Sequence, residues 1–414
     1  MDSRSEIARA AAEAAARQSY GKLVAYLSAR TRDVAAAEDA LADAFAAALE
    51  RWPKSGVPEK PEAWLLAVAR RRRVDAVRRL LTSEAGREHL QLIADEMEAS
   101  MTDEDLPDER LRLMFACAHP AIEPSVRAPL ILQTILGFDA ATIASAFLVS
   151  PATMGQRLVR AKARIRETGI PFRVPERTEL GERLGAVLEA IYAAFAEGWS
   201  DPAGTETRRR NLATEGIWLG RLLATLMPDE PEALGLLSLM LFAEARRAAR
   251  RDAAGDYVPL AEQDCALWDH PLVDEAESLL RTAAATGVIG RYQLEAAVQS
   301  AHAARRLTGR TDWVAIRELY DALLSIAGSP VVAINRAVAL AEAEGAVAGL
   351  AALYVLGDDK RLNEYQPYWA ARAGLLARLG QVPQASDAYD RAIGLERDPA
   401  VRRFLQGKKA ALRH

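Results

Sequence analysis

The chain has 414 residues, half of them hydrophobic and only 6% aromatic, with a formal net charge of −4. That length allows two or three domains with sizeable cores. The slightly acidic balance excludes a globally basic nucleic-acid coat, so any contact with DNA must come from local patches.

In chain order, the first residues (MDSRSEIARAAAEAAARQ) are polar and alanine-rich and lack the apolar region of a signal peptide. No apolar run reaches the ~20 residues that a membrane span needs. Cys117 and Cys265 have no metal-like spacing and fit a reducing compartment. A cytoplasmic protein without membrane contact is expected. Alanine and leucine dominate, and no window alternates with period two between turn residues, so the expected class is all-α.

Residues 37–52 (AEDALADAFAAALERW) predict an amphipathic helix with Glu38, Asp39 and Asp43 on its polar side. Residues 61–80 (PEAWLLAVARRRRVDAVRRL) predict a second, with Pro61 and Glu62 suited to a first turn. Trp64, Leu65, Val68, Val74, Val77 and Leu81 supply its packed face. Arg70, Arg71, Arg72, Arg73, Arg78 and Arg79 crowd it with positive charge. A solvated face is the ordinary account of such a run. Arginines without interleaved glutamates repel one another, however, and a phosphate backbone relieves that repulsion.

Residues 83–108 are polar and carry Glu96, Glu98, Asp103, Glu104, Asp105 and Asp108, the composition of a flexible acidic linker. Residues 109–173 read as a small helical unit. Within it a short helix near Ala140–Phe147 runs through Leu148-Val149-Ser150 into a helix opening at Pro151. Ser150 suits the N-cap and Pro151 the first helical position. Met154, Leu158, Ala161 and Ile165 form a buried stripe, which leaves Thr153, Gln156, Arg157, Arg160, Lys162 and Arg164 to project elsewhere. These are the parts of a helix-turn-helix. Arg157 and Arg160 lie early enough to approach base edges, and Lys162 and Arg164 are better placed for phosphates. The proline-flanked segment 170–175 (IPFRVP) marks a boundary.

From about 178 to 412 helical patterns follow one another. Tyr320, Tyr354 and Tyr389 recur at 34 and 35 residues, each four residues after Ile316, Leu350 and Ala385. Gly345 and Gly380 precede the last two tyrosines by nine. The final copy (ARAGLLARLGQVPQASDAYDRAIGLERDP) resembles a tetratricopeptide repeat, and all three tyrosines are expected in the core. Catalytic signatures are missing: there is no P-loop, G-x-G-x-x-G, G-x-S-x-G or H-E-x-x-H. His89, His119, His270, His302 and His414 are dispersed. Glu262, Asp264 and Asp269 around Trp268 are best explained as caps of a turn with a buried tryptophan. Neither an enzyme nor a cofactor or metal is expected.

The order of acidic amphipathic helix, W-L-x-x-V-A-R-x-R-x-x-D-x-x-R-R helix, acidic linker and helix-turn-helix resembles an extracytoplasmic-function sigma-70 factor. Further segments, F-A-E-G-W (195–199), A-E-Q-D-C-A-L-W-D (261–269), Y-Q-L-E-A-A (292–297), T-D-W (311–313), L-Y-D-A-L (319–323) and S-P-V-V-A-I-N-R-A-V-A (329–339), resemble the subgroup with a tetratricopeptide-like C-terminal extension. The resemblance implies sigma region 2 at 1–82, a linker at 83–108, region 4 at 109–174 and a helical-repeat regulatory domain at 178–414. It implies that Glu38, Asp39, Asp43 and Phe45 dock on core RNA polymerase. Trp64 and the arginines 70–73, 78 and 79, with the loop 53–61, would bind and open the −10 element of promoter DNA. Ser150, Thr153, Gln156, Arg157, Arg160, Lys162 and Arg164 would read the −35 element. An unknown protein or peptide on the repeats is a further expected partner. Ala42 stands where that family often has a glutamine, and Leu148 where helix-turn-helix turns often have glycine. The rival readings are an autonomous helix-turn-helix regulator with a sensing repeat domain, and a repeat scaffold whose basic helices are merely solvated.

Overall fold

A computed structural model of the chain describes residues 3–80, 108–147, 149–199, 207–357 and 359–413. Among them the fold is all-α: there is no strand, only an isolated bridge between Arg251 and Tyr257. The acidic linker expected at 83–108 lies outside the described residues except at Asp108, as does Leu148. The helices fall into two compact units, residues 1–200 with 206–216, and residues 217–414 with 201–205.

In the first unit α1 (Ser3–Thr31), α2 (Val34–Ser55) and α3 (Pro61–Leu80) form a bundle. Asp33 caps α2 by accepting from Ala36 N–H at 3.1 Å, and Gly56 ends it at φ +87°. Leu23, Leu27, Leu41, Trp52 and Leu65 are fully buried between the three helices. Then follow α4 (Arg110–Cys117), α5 (Pro124–Leu136), α6 (Ala140–Ala146), α7 (Pro151–Glu167) and α8 (Arg177–Trp199). Gly21 of α1 lies so close to α5 that a Cβ there would sit 2.2 Å from the Ile135 carbonyl oxygen. Small size is what allows the two helices to meet.

α8 departs from the expected organisation. The sequence break at 170–175 is a break in helix, and the helix that follows it, α8, belongs to the first compact unit. α8 packs on α4 and α5, Leu184, Val187, Leu188 and Ile191 are buried, and Arg183 Nη2 donates to the Phe115 carbonyl at 2.8 Å. Prolines end a helix without deciding which core the next one joins.

The second unit continues from α9 (Thr207–Leu226), which crosses the division, through α10 (Pro231–Ala245), α11 (His270–Ala285), α12 (Arg291–Ala303) and the single-turn α13 (Arg305–Thr308). It ends with α14 (Trp313–Ala327), α15 (Pro330–Glu344), α16 (Ala346–Val355), α17 (Gln366–Arg378), α18 (Val382–Leu395) and α19 (Pro399–Ala410). Most helices pack on near neighbours in sequence. Gly349 shows why small residues recur: a Cβ there would lie 2.4 Å from Ala341 Cβ, so only glycine lets α16 close on α15. Ile316, Leu350 and Ala385 are buried as the period predicts, and so is Tyr389. Tyr354 corrects the expectation: it is half exposed, with the Arg372 guanidinium 5.3 Å from its ring centroid. A 34-residue period fixes position in a repeat but not which neighbour covers it. Two of the three acids around Trp268 are caps, as read: Asp264 accepts from Ala266 N–H and Asp269 from Leu272 N–H, while Trp268 is buried; Glu262 instead faces Lys408 at 3.8 Å.

α19 returns to an early part of its unit. Arg251 pairs with Asp398, Arg403 Nη2 reaches Asp256 at 2.7 Å, and the Phe404 ring stands edge-on to Tyr257 at 5.5 Å.

Candidate nucleic-acid interface

α6 and α7 stand where the sequence placed them. Asp139 caps α6 through Thr142 N–H at 2.7 Å, and Ser150 caps α7 through Thr153 N–H at 3.1 Å. Met154, Leu158, Ala161 and Ile165 are all buried, so α7 is held by one stripe. That stripe divides its polar residues into two edges. Ser150, Thr153 and Gln156 are exposed at the N-terminal end. Arg157, Arg160 and Arg164, three and four residues apart, line an open groove of about 600 Å³ together with Ile122, Glu123 and Val126 at the start of α5. Three guanidiniums along one groove make a surface suited to phosphate oxygens and base edges.

The other edge of α7 faces α2. Lys162 Nζ donates to Glu38 Oε2 at 2.6 Å, and both side chains are only 12% exposed. One turn on, Arg166 approaches Asp33 at 3.5 Å. Burial lifts the Glu38 carboxyl above its ordinary range, and the Lys162 ammonium offsets this only in part. Lys162 is therefore parted from Arg164, with which the sequence grouped it. Arg166 was not singled out, although its spacing of four from Lys162 on the same helix was a signal that could have found it.

On α2, Asp39 and Asp43 are exposed and Phe45 is half-buried, whereas Glu38 is turned to α7. On α3, Arg71 and Arg72 are exposed. Arg70 is buried: its Nη2 donates to the Tyr26 hydroxyl and its guanidinium lies 5.2 Å from that ring. It shares the inner side of the helix with Leu66 and Ala69, which removes it from the surface expected to meet DNA. The side chains of Arg73, Val74, Val77, Arg78, Arg79 and Leu81 lie outside the described residues. Trp64 is half-buried, edge-on to the buried Trp52 with ring centroids 5.4 Å apart.

Nothing in this unit prepares a nucleophile at its one cysteine. Cys117 is fully buried, 3.5 Å from the Thr134 hydroxyl, and burial pushes its thiol up to about 12.

Comparison with known proteins matches Sigma-70 region 2 to residues 16–81, which are most of α1 with α2 and α3. A family of unknown function (DUF6596) matches residues 183–284. An uncharacterized protein of Rhizobium meliloti (strain 1021) is 40% identical over 394 residues, covering 94% of this chain and 92% of that protein. No solved structure matches the chain.

Proposed function

We propose that the chain, which carries a sigma-70 region 2 over residues 16–81, is an alternative sigma factor of the extracytoplasmic-function type, acting in the cytoplasm. The sigma-70 region 2 match supports a role in transcription initiation, with core RNA polymerase and promoter DNA as partners. The observation that carries the finer reading is the region 2 match over 16–81, joined to the exposure of Asp39 and Asp43 on the helix expected to dock on polymerase. α3 and the loop before it take the −10 element. Trp64 and the exposed arginines hold unpaired bases there, at ~1–3 kcal/mol for each base stacked on a protein group. α7 takes the −35 element through its N-terminal residues and the Arg157, Arg160 and Arg164 edge.

Two residues assigned to different partners, Glu38 to polymerase and Lys162 to DNA, face each other in this conformation. Using either requires that ion pair to part, so we read this as a closed state of the factor. The second unit, read as tetratricopeptide-like, serves as its regulatory domain.

Reconstitution tests the reading. The chain is expected to co-purify with core RNA polymerase and to support promoter-specific transcription from a bipartite promoter. Failure to bind core polymerase removes it, and strong operator binding without polymerase would fit an autonomous regulator instead. For the second unit, deletion of residues 217–414 keeps α8 on its core, which a cut after Val174 would not. A gain in transcription means masking and a loss means assistance. Unchanged output would assign that unit to a separate partner.

A further inference from the structure

In the second unit, ion pairs lace the outer faces of neighbouring helices: Arg317 pairs with Glu344, Arg336 with Asp321 and Arg378 with Glu342. α16 (AVAGLAALYV) is different, because it has no charged side chain at all. Its inner side is Gly349, Leu350 and Leu353, all buried. Its outer side is Val347, Ala351, Tyr354 and Val355, spaced so that they fall on one face, and all four are exposed. Val347 is 71% and Val355 83% exposed. A helix at a protein surface ordinarily turns polar residues to solvent. Here an apolar stripe takes their place, the composition of a face that another chain covers.

The stripe borders two cations that have no counter-charge. Arg372 on α17 has its guanidinium 5.3 Å from the Tyr354 ring centroid and 5.5 Å from that of Trp369. Arg391 on α18 lies over the same Trp369 ring at 4.6 Å. The ring is held in place: Trp369 Nε1 donates to the Asn363 carbonyl at 3.0 Å, and the buried Tyr368 stands edge-on to it at 5.2 Å. Tyr354, Arg372, Trp369 and Arg391 thus make a continuous row of alternating rings and guanidiniums across α16, α17 and α18. Neither arginine has an ion pair or a hydrogen bond among the described residues, and the Arg372 Nε is enclosed without an acceptor. Arg391 follows Asp387 by four residues, the spacing of a helical ion pair, yet it lies on the tryptophan instead. Stacking on a ring orients a guanidinium but supplies no carboxylate, so the N–H edges stay available for one.

We propose that the outer face of α16, with the Arg372 and Arg391 row beside it, is the docking surface for an acidic amphipathic helix of another protein. Apolar side chains on one face of that helix cover Val347, Ala351, Tyr354 and Val355, and carboxylates along its flank reach the two guanidiniums. Charge and shape together select this occupant. A basic helix would set cations against cations. A nucleic acid would bring phosphates to the arginines but gain nothing from the aliphatic Val347, Ala351 and Val355, which offer no ring for a base to stack on. Two-fold pairing of the surface with itself would bury the stripe but supply no carboxylate from it. The surface belongs to the second unit alone and stands whether or not the sigma reading does.

The test titrates the full chain against a fluorescent synthetic helix of leucine, alanine and glutamate, with leucines on one face and glutamates along its flank. Anisotropy reads binding, and saturation is expected. Replacing the glutamates of the peptide by lysines should abolish it. On the protein, Val347→Asp with Val355→Gln should weaken binding roughly tenfold or more, as should Arg372→Gln with Arg391→Gln. The two valines are exposed, so their double variant should keep the wild-type Tm, which separates a lost surface from a lost fold. No saturable binding of the glutamate helix overturns the proposal, as does equal binding of the lysine helix or undiminished binding to the valine variant. Binding of an oligouridylate strand in place of the glutamate helix overturns it in favour of a nucleic-acid surface. Self-association of the chain that the valine variant abolishes, without peptide binding, overturns it in favour of a dimer face.

Discussion

Where α2 meets α7, Lys162 and Arg166 find Glu38 and Asp33, brought from more than 120 residues away in sequence. In the second unit, Arg246 and Arg305 find carbonyls and an amide oxygen but no carboxylate among the described residues. Both places bury cations, and they satisfy them differently. The first contact balances charge within the chain, so parting it costs free energy and it behaves as a closure. The second bonds its guanidiniums to neutral oxygens and balances no charge in doing so. Hydrogen bonding and charge balance are separate requirements, and a residue can meet one without the other.

The largest expected effect strikes the scaffold of the first contact. Gly21→Ala puts a methyl against the Ile135 carbonyl, a backbone atom that cannot step aside, and forces α1 from α5. A loss of about 3 kcal/mol or more is expected in thermal unfolding; a wild-type Tm would mean that the helices are less tightly apposed than described. Next comes the burial of His302. His302 titrates near 6.5 unfolded but at about 4 folded, because burial, Arg246 and Arg305 oppose its charged form. The stability linked to it is fully present above pH 6.5 and lost as pH falls toward 4, by roughly 2–3 kcal/mol. His302→Gln should flatten that part of the pH–stability profile, and an unchanged slope would remove His302 as its source.

The closure itself is tested by charge exchange. Lys162→Glu should destabilise the first unit by up to about 3 kcal/mol, since it leaves two carboxylates face to face. Adding Glu38→Lys should restore more than half of the loss; two independent, additive penalties would show that the pair is not coupled. Arg157→Ala on the open edge of α7 should leave stability unchanged. It should cost ~1–3 kcal/mol of binding at one promoter base pair, and a uniform loss across promoter variants would make it a phosphate contact. The smallest effect is expected for Asp39→Lys with Asp43→Lys. These exposed rim charges should slow association with core polymerase without altering Tm.

Much of this fold was legible because helix ends carry local chemistry. Ser150 and Pro151 open α7 as read, and the stripe Met154, Leu158, Ala161 and Ile165 is buried to the last residue. What stayed hidden depended on tertiary neighbours. A run of four arginines does not announce that Arg70, in line with Leu66, turns inward to Tyr26 while Arg71 and Arg72 turn out. Nor does an acidic stripe on α2 reveal that one member faces another helix. Membership of α8 in the first core was illegible for the same reason, since its apolar face would suit either unit.

The return of α19 also bears on the order in which the molecule is made. Asp398, Arg403 and Phe404 hold Arg251, Asp256 and Tyr257 across a separation of 147 residues. On the ribosome, every helix of the first unit has emerged before those anchors are translated. A nascent chain can thus close its first unit while the segment 251–257 still waits for its clasp. Pausing synthesis before residue 398 would trap a chain whose first unit is folded and whose second lacks the contacts of α19.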